Sequence, residues 1–217
     1  MHDIDYVADL DNPDVKLFIE SNYTESICYE NVFDQNTLDQ IWQYCWQNPK
    51  PRFNGDKGIV YIHTDLSPLK DIANLNFLSG YKESPVIGGN YFISSYPYTV
   101  HTDSVKKSDW KPKGQEWVPW KNVLIPLWHN NNPGTFITYK NRYADWAKSD
   151  SELSSYSLDN FDSLEKENEW EWVPGNAYVF DAVQAHSSTK PKDRPFTLKG
   201  GVFLKFLKRY NIVTKTG

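Results

Sequence analysis

Tyr98-Thr99-Val100-His101-Thr102-Asp103 is the segment around which the fold and the chemistry of this chain are organised. His101 and Asp103 are two residues apart, and on an extended strand residues i and i+2 point to the same face. An imidazole and a carboxylate on one face of a strand are able to bind one metal ion. The segment therefore predicts a metal site on a β-strand, and such a site needs a further ligand.

A second segment, far downstream, supplies that ligand. Residues 174–186 read Pro174-Gly175-Asn176-Ala177-Tyr178-Val179-Phe180-Asp181-Ala182-Val183-Gln184-Ala185-His186. We expect a strand that ends at His186 and returns it to the first segment. Two histidines and one carboxylate on one face of a metal form the facial triad of non-haem Fe(II) oxygenases. The sequence therefore predicts His101, Asp103 and His186 as the metal ligands.

Other histidines and acids in the chain give alternatives to this triad. The tripeptide His63-Thr64-Asp65 repeats the His-Thr-Asp pattern, but it lies before a predicted helix start, where Asp65 would stabilise the helix N-terminus. We therefore prefer the pair at 101 and 103. His129 is expected in a loop or near the metal, and Asp181 either orients a ligand or pairs at the end of its strand.

Composition narrows the class of protein. The chain has 217 residues and a formal net charge of -5, so we expect one folded domain, 1–217, without general nucleic-acid binding. The N-terminus is acidic where a signal peptide would be basic, and no apolar run is long enough to cross a membrane. Cys28 and Cys45 are expected to be reduced thiols. We expect a cytoplasmic monomer or weak homodimer.

Apolar periodicity predicts two helices followed by many short strands. Residues 36–46 have helical spacing, with Thr37 and Gln40 as a capping box. Ser67-Pro68 begins a second helix that runs to about Leu78 and is ended by Gly80. Before them we expect only an edge strand or two. Strand-like runs then lie at 86–96, 122–128, 135–139, 169–173, 176–182 and 196–206. This order predicts a mainly β fold, a jelly roll or barrel, with helical support at about 30–80 and the core at about 86–206.

Two long segments interrupt the strands. Residues 104–120 contain four lysines among three tryptophans, and residues 140–168 are rich in Ser, Asp and Glu. Segments of this length are commonly lids over a functional site or solvated insertions. We predict a lid over the metal at 104–120, and both readings stay open for 140–168.

The order of these motifs resembles that of the Fe(II)/2-oxoglutarate-dependent dioxygenases. The matching features are the His-x-Asp pair at His101 and Asp103, the Pro-Gly turn and strand before His186, and the basic residue Arg194. The resemblance covers about 86–206 and is closest to small phytanoyl- and prolyl-hydroxylase-like members, including those of phages and bacteria. It implies a double-stranded β-helix, which is a cupin-like jelly-roll barrel.

The resemblance also implies Fe(II) as the metal and 2-oxoglutarate as a cosubstrate whose far carboxylate needs a cation inside the barrel. We predict Arg194 for this role, because a guanidinium binds a carboxylate with two hydrogen bonds. Lys199 is the alternative. Thr197 and Tyr96 are further candidate contacts of the cosubstrate.

The implied activity is hydroxylation of an unactivated C–H bond of a small molecule or a side chain, with O₂ consumed and succinate and CO₂ released. Two alternatives are a cupin-type metalloprotein with other chemistry and a non-enzymatic jelly-roll binding module. A cupin-type metalloprotein with other chemistry would not turn over 2-oxoglutarate, whereas a dioxygenase would. A non-enzymatic binding module would not bind the metal.

Overall fold

A computed structural model of the chain describes residues 12–47, 51–54, 59–62, 68–78, 86–94, 100, 102, 117–131, 133–142, 164–188 and 198–209. Three helices lie in this part of the chain, and none of them is long and apolar enough to span a membrane. They are α1 (Pro13–Ser21), α2 (Gln35–Gln47) and α3 (Leu69–Ala73). The strands in chain order are β1 (Ile27–Tyr29), β2 (Pro51–Asn54), β3 (Ile59–Ile62), β4 (Val86–Ser94), β5 (Trp117–His129), β6 (Thr135–Arg142), β7 (Lys166–Glu171), β8 (Ala177–Asp181), β9 (Gln184–Ser188) and β10 (Lys199–Arg209).

The strands form two antiparallel sheets that face each other. One has seven strands in the order β1-β8-β5-β10-β4-β3-β2, and the other has three in the order β7-β6-β9. Side chains of both sheets meet in one buried core, which contains Phe92, Leu124, Phe136, Trp172, Tyr178 and Phe180. Two packed antiparallel sheets with these crossovers are a jelly roll. The mainly β, double-stranded β-helix prediction is confirmed.

Helices α2 and α3 cover the outer face of the seven-stranded sheet. Leu38, Ile41 and Cys45 of α2 and Leu69 of α3 pack in one cluster with side chains of β5, β8 and β10. Strands β5 and β10 therefore bury both faces, one against helices and one against the other sheet. This explains their nearly continuous apolar sequences and confirms the predicted helical support.

The predicted helix boundaries need correction. Helix α2 begins at Gln35, and its cap is Asp34, whose carboxylate accepts a hydrogen bond from the Thr37 backbone N–H at 2.8 Å. Thr37 is therefore inside the helix and does not cap it. Helix α3 ends at Ala73, because Asn74 adopts a left-handed conformation with φ 47°. It does not run on to Leu78.

The first thirty residues contain a helix that the sequence reading missed. The Asn12 side chain caps α1 by accepting hydrogen bonds from the backbone N–H groups of Asp14 at 3.0 Å and Val15 at 3.4 Å, and Pro13 is its first residue. Asn followed by Pro is a standard start signal for a helix and was available in the sequence. The expected edge strand is present as β1.

The two long segments are shorter than predicted. Residues 117–120 begin β5, residues 140–142 end β6, and residues 166–168 begin β7. The lid prediction is therefore wrong for residues 117–120, and residues 140–142 and 166–168 belong to strands of the three-stranded sheet. The rest of both segments lies outside the described residues, where it stays a prediction.

Candidate active site

His186 lies in the middle of β9, not at the end of the preceding strand. The turn at Ala182 and Val183 separates β8 from β9 and moves the chain from the seven-stranded sheet to the three-stranded sheet. In the three-stranded sheet His186 is opposite Thr138 of β6. The imidazole thereby enters the space between the two sheets, and the residue is 4% exposed.

Aromatic rings from three strands surround the His186 imidazole. Its centroid is 4.8 Å from Phe180, 5.8 Å from Phe136 and 6.0 Å from Phe203. These rings come from β8 and β10 in one sheet and from β6 in the other. They exclude water from this side of the imidazole and limit its rotation.

A hydrogen bond selects the tautomer of His186. Its Nδ1 lies 3.0 Å from the backbone carbonyl oxygen of Gln184. A carbonyl can only accept, so Nδ1 carries the proton, and in the neutral ring the lone pair is on Nε2. A backbone carbonyl that orients the ring in this way is the usual partner of a metal-binding histidine. The donor set at His186 therefore fits a metal.

His101 and Asp103 lie outside the described residues, but both neighbours of His101 are described. Val100 is completely buried and packs in one cluster with Ile137, Tyr139 and Ala185, and Thr102 is 4% exposed. The residue before His101 therefore packs in the same cluster as the residue before His186. No group of three potential metal ligands occurs within the described residues alone.

Lys199 is a buried cation on the inner face of the barrel. It is 0% exposed, and its Nζ lies 4.6 Å from the Trp172 ring centroid and donates to the Pro133 carbonyl oxygen at 3.1 Å. Among the described residues no carboxylate pairs with it. Burial lowers the pKa of Lys199 to about 8, because the charged form loses its hydration. A buried ammonium without a counter-charge fits the far carboxylate of a diacid.

Glycine makes room beside this cation. Gly201 follows Lys199 by two residues on the same face of β10. A Cβ at Gly201 would lie 2.8 Å from the Trp172 ring and 3.0 Å from Phe92. Only glycine lets Trp172 lie flat against the strand, where its face meets the Lys199 ammonium.

The remaining predicted site residues separate into two groups. Arg194, Thr197 and Tyr96, like the alternative pair His63 and Asp65, lie outside the described residues and stay predictions. His129 ends β5 and is exposed at the surface. Asp181 forms a buried ion pair with Lys121 on the neighbouring strand, which is the second of its two predicted roles.

A network of hydrogen bonds that the sequence did not predict holds the start of β9 in place. The Gln184 side-chain amide donates to the Glu167 carboxylate at 2.7 Å and to the Tyr139 carbonyl oxygen at 2.9 Å. Glu167 also accepts from the Tyr23 hydroxyl at 2.6 Å and from the Ser26 backbone N–H at 3.0 Å. The network joins β9 to β7, to β6 and to the segment before β1, and so fixes the carbonyl that orients His186.

Solved structures with the same fold share a class of chemistry. The non-haem α-ketoglutarate-dependent epimerase SnoN from nogalamycin biosynthesis is 9% identical over 91% of this chain and 84% of its own, with a TM-score of 0.58. A prolyl-4-hydroxylase of Pseudomonas putida is 10% identical over 91% and 99%, with a TM-score of 0.53. HygX of Streptomyces hygroscopicus, solved with nickel and 2-oxoglutarate bound, is 11% identical over 88% and 85%, with a TM-score of 0.52.

The chain thus has the fold of 2-oxoglutarate-dependent oxygenases of known structure. The sequence matches no protein-family model, and no curated protein is similar to it in sequence. At these identities the likeness shows the fold alone.

Proposed function

We propose that this protein is an Fe(II)- and 2-oxoglutarate-dependent dioxygenase that hydroxylates an unactivated C–H bond of a small molecule or a side chain. One observation carries the proposal. The inner face of the barrel holds a buried histidine in the metal-binding tautomer, His186, and a buried cation without a carboxylate partner among the described residues, Lys199. Burying an imidazole and an unpaired ammonium in an apolar interior lowers the stability of the fold. A metal bound to the imidazole and a carboxylate bound to the ammonium would offset this loss.

The metal ligands in this proposal are His101, Asp103 and His186. The shared packing of Val100 and Ala185 supports it, because it brings the chain next to His101 close to the chain next to His186. When bound, iron and 2-oxoglutarate supply the O₂ activation and the oxidising power. The protein's own part is to present Nε2 of His186, to orient that ring through the Gln184 carbonyl, and to keep water away with the three aromatic rings.

Lys199 is our proposed partner of the far carboxylate of 2-oxoglutarate. Phe203, which contacts His186, lies on the same face of β10 four residues after Lys199, about 13 Å along the strand. A lysine side chain and a five-carbon diacid together can cover that distance. The ion pair would restore to Lys199 the counter-charge that its surroundings lack.

The known structures with this fold support the cosubstrate more strongly than the reaction outcome. HygX was solved with 2-oxoglutarate, and the prolyl-4-hydroxylase supports hydroxylation, whereas SnoN is an epimerase. Hydroxylation is therefore the proposed outcome, and product analysis has to separate it from other reactions that begin with C–H cleavage.

The anchor is tested by calorimetric titration of the metal-loaded protein with 2-oxoglutarate. Lys199→Met should weaken binding by about two to three orders of magnitude, because a carboxylate loses its buried partner. Arg194→Met is the matched control and should bind as wild type does. The opposite result, with Arg194→Met inactive in binding and Lys199→Met normal, would give the role to Arg194.

The pH dependence of the same titration gives an independent check. The dianionic cosubstrate binds the protonated lysine, and burial lowers the pKa of free Lys199 to about 8. Affinity should therefore fall as the pH rises above about 8, and Lys199→Arg should lose this dependence, since arginine stays protonated.

The metal and the reaction are tested by Fe(II) binding and by succinate release from 2-oxoglutarate. His101→Ala, Asp103→Ala and His186→Ala should each abolish metal binding or turnover, while His63→Ala should leave both unchanged. A wild-type protein that binds metal but never consumes 2-oxoglutarate would favour the cupin-type alternative. A protein that binds no metal would favour the binding module.

A further inference from the structure

A second polar pair lies on the inner face of the seven-stranded sheet, formed by Asn122 of β5 and Lys205 of β10. The two residues are opposite each other in the antiparallel register, and Asn122 is opposite Phe180 on its other side. Residues opposite each other in a sheet share a face, and side chains alternate along each strand. Leu124 and Phe180 belong to the core between the sheets, and Phe203 packs against it. Asn122 and Lys205 therefore point into the barrel.

Neither residue has a hydrogen-bonding or charged partner among the described residues. Asn122 is 0% exposed, and both its Nδ2 and its Oδ1 lack a hydrogen bond. Lys205 is 5% exposed and makes no hydrogen bond or ion pair with any described residue. A buried amide is normally hydrogen-bonded, because its burial without a partner is unfavourable. An unsatisfied amide beside an ammonium that pairs with no described residue indicates a ligand that contacts both.

The position of this pair relative to His186 identifies the ligand it would serve. Phe180 and Phe203 both contact the imidazole, and Asn122 and Lys205 lie next to these two rings. Along β10, Lys205 follows Phe203 by two residues, whereas Lys199 precedes it by four. The two buried lysines are thus on opposite sides of the candidate metal position. A cosubstrate that reaches from the metal to Lys199 leaves Lys205 for a different molecule.

We propose that Lys205 and Asn122 bind a carboxylate of the prime substrate. The inference rests on the proposed function, because it assigns the Lys199 side of the barrel to 2-oxoglutarate. The ammonium would pair with one carboxylate oxygen while the Asn122 amide N–H donates to the other. One positive charge and two donor groups match a carboxylate better than a doubly charged phosphate. The substrate class is therefore carboxylic acids, with the C–H bond to be oxidised near the acid group.

The probe is a panel of small carboxylic acids, including benzoate, indole-3-acetate and N-acetylated amino acids, each beside its primary amide. The measurement is the shift in melting temperature of the full chain without added metal. Acids should raise the melting temperature of the wild type and amides should not. Lys205→Met should lose the acid-dependent shift and bind the acids about tenfold or more weakly. Asn122→Leu should reduce the acid-dependent shift in melting temperature without abolishing it.

Two controls separate this role from a structural one. Lys208→Met removes a charge from the same strand, but its ammonium lies 5.2 Å over Trp120 and bonds to Asn22, so it should keep the acid shift. Without any acid, Lys205→Met should melt at about the same temperature as wild type, because the Lys205 ammonium pairs with no described residue and so leaves no group without its partner. A lower melting temperature for this variant together with a retained acid shift would overturn the proposal.

Titration of the same metal-loaded proteins with 2-oxoglutarate keeps the two hypotheses distinct. If Lys205→Met loses 2-oxoglutarate binding, the pair binds the cosubstrate and the substrate assignment is wrong. If the wild type binds 2-oxoglutarate but no acid of the panel shifts its melting temperature, the inference fails and the proposed function stands. Acid binding that depends on Lys205, in a chain that does not bind 2-oxoglutarate, would overturn the proposed function and leave the carboxylate site.

Discussion

Lys121 and Lys199 are both buried lysines of the seven-stranded sheet, yet their surroundings differ completely. Lys121, on the outer face of β5, pairs with Asp181 on the neighbouring strand and donates to the Thr24 hydroxyl at 2.5 Å. Lys199, on the inner face of β10, has an aromatic ring and one carbonyl as its partners. The chain itself supplies the counter-charge of Lys121, whereas no described carboxylate pairs with Lys199. Burial alone therefore does not distinguish the two lysines, and the presence of a counter-charge does.

The largest effect is expected when the Lys121–Asp181 ion pair is broken. Lys121→Met should lower the free energy of unfolding by about 3–5 kcal/mol, because it leaves the Asp181 carboxylate buried without its cation. Urea denaturation measures the loss. The double variant Lys121→Met/Asp181→Leu should recover most of it. If the single variant is as stable as wild type, the pair does not have the structural role that we assign to it.

The next effect has the opposite sign and concerns Lys199. Lys199→Met should raise the free energy of unfolding of the ligand-free protein at pH 7, by on the order of 3 kcal/mol before any cost of repacking, because burial lowers the pKa of Lys199 from 10.5 to about 8. Below pH 8, Lys199 is charged in both the folded and the unfolded chain, so its unfavourable contribution to the free energy of unfolding is fully present. Above it the folded wild type releases the proton before the unfolded chain does, so wild type gains stability relative to the variant.

The expected result is a stability gap between Lys199→Met and wild type that narrows from about pH 8 and closes near pH 10.5. Other groups that titrate in this range are common to both proteins and cancel in the difference. Denaturation curves at several pH values measure the gap. A gap that stays constant with pH would mean that Lys199 is not a charged group held in an apolar site.

The smallest effect is expected at an ion pair on the surface. Lys140 pairs with Glu165, and both side chains are more than half exposed. Their charges stay hydrated and screened by salt, so Lys140→Met should leave the denaturation midpoint within experimental error. A clear loss of stability in this variant would contradict the expectation that an exposed ion pair contributes less to stability than a buried one.

Local sequence patterns predicted the architecture well because the central strands of the seven-stranded sheet contain long apolar runs. The runs that became β5, β8 and β10 could be read directly, as could helix α2. Lys199 also carried a signal, since it begins a strand with the apolar run Val202-Phe203-Leu204, which is typical of a strand buried on both faces. Arg194 was preferred for its guanidinium, and neither assignment could be decided without knowing what surrounds Lys199.

Other features depend on contacts between distant parts of the chain and have no local signal. The short strand β9 was merged with β8 because the two-residue turn between them, Ala182-Val183, is apolar and contains no Gly or Pro. The pairing of Asn122 with Lys205 follows from the register of β5 against β10, which hydrophobic alternation restricts only to a choice of face. The network around Glu167 joins segments that are far apart in sequence, so composition could not reveal it.

The central position of β10 also has a consequence for biosynthesis. It is the last strand of the described chain, yet it lies between β4 and β5 in the middle of the seven-stranded sheet. Until the ribosome has added residues 199–209, β4 and β5 each present an open edge to other chains, and the barrel cannot close. Such long-range closure is slow and exposes the nascent chain to edge-to-edge aggregation. We therefore expect the yield of folded protein to depend on chaperones that hold these edges apart until synthesis reaches the end of β10.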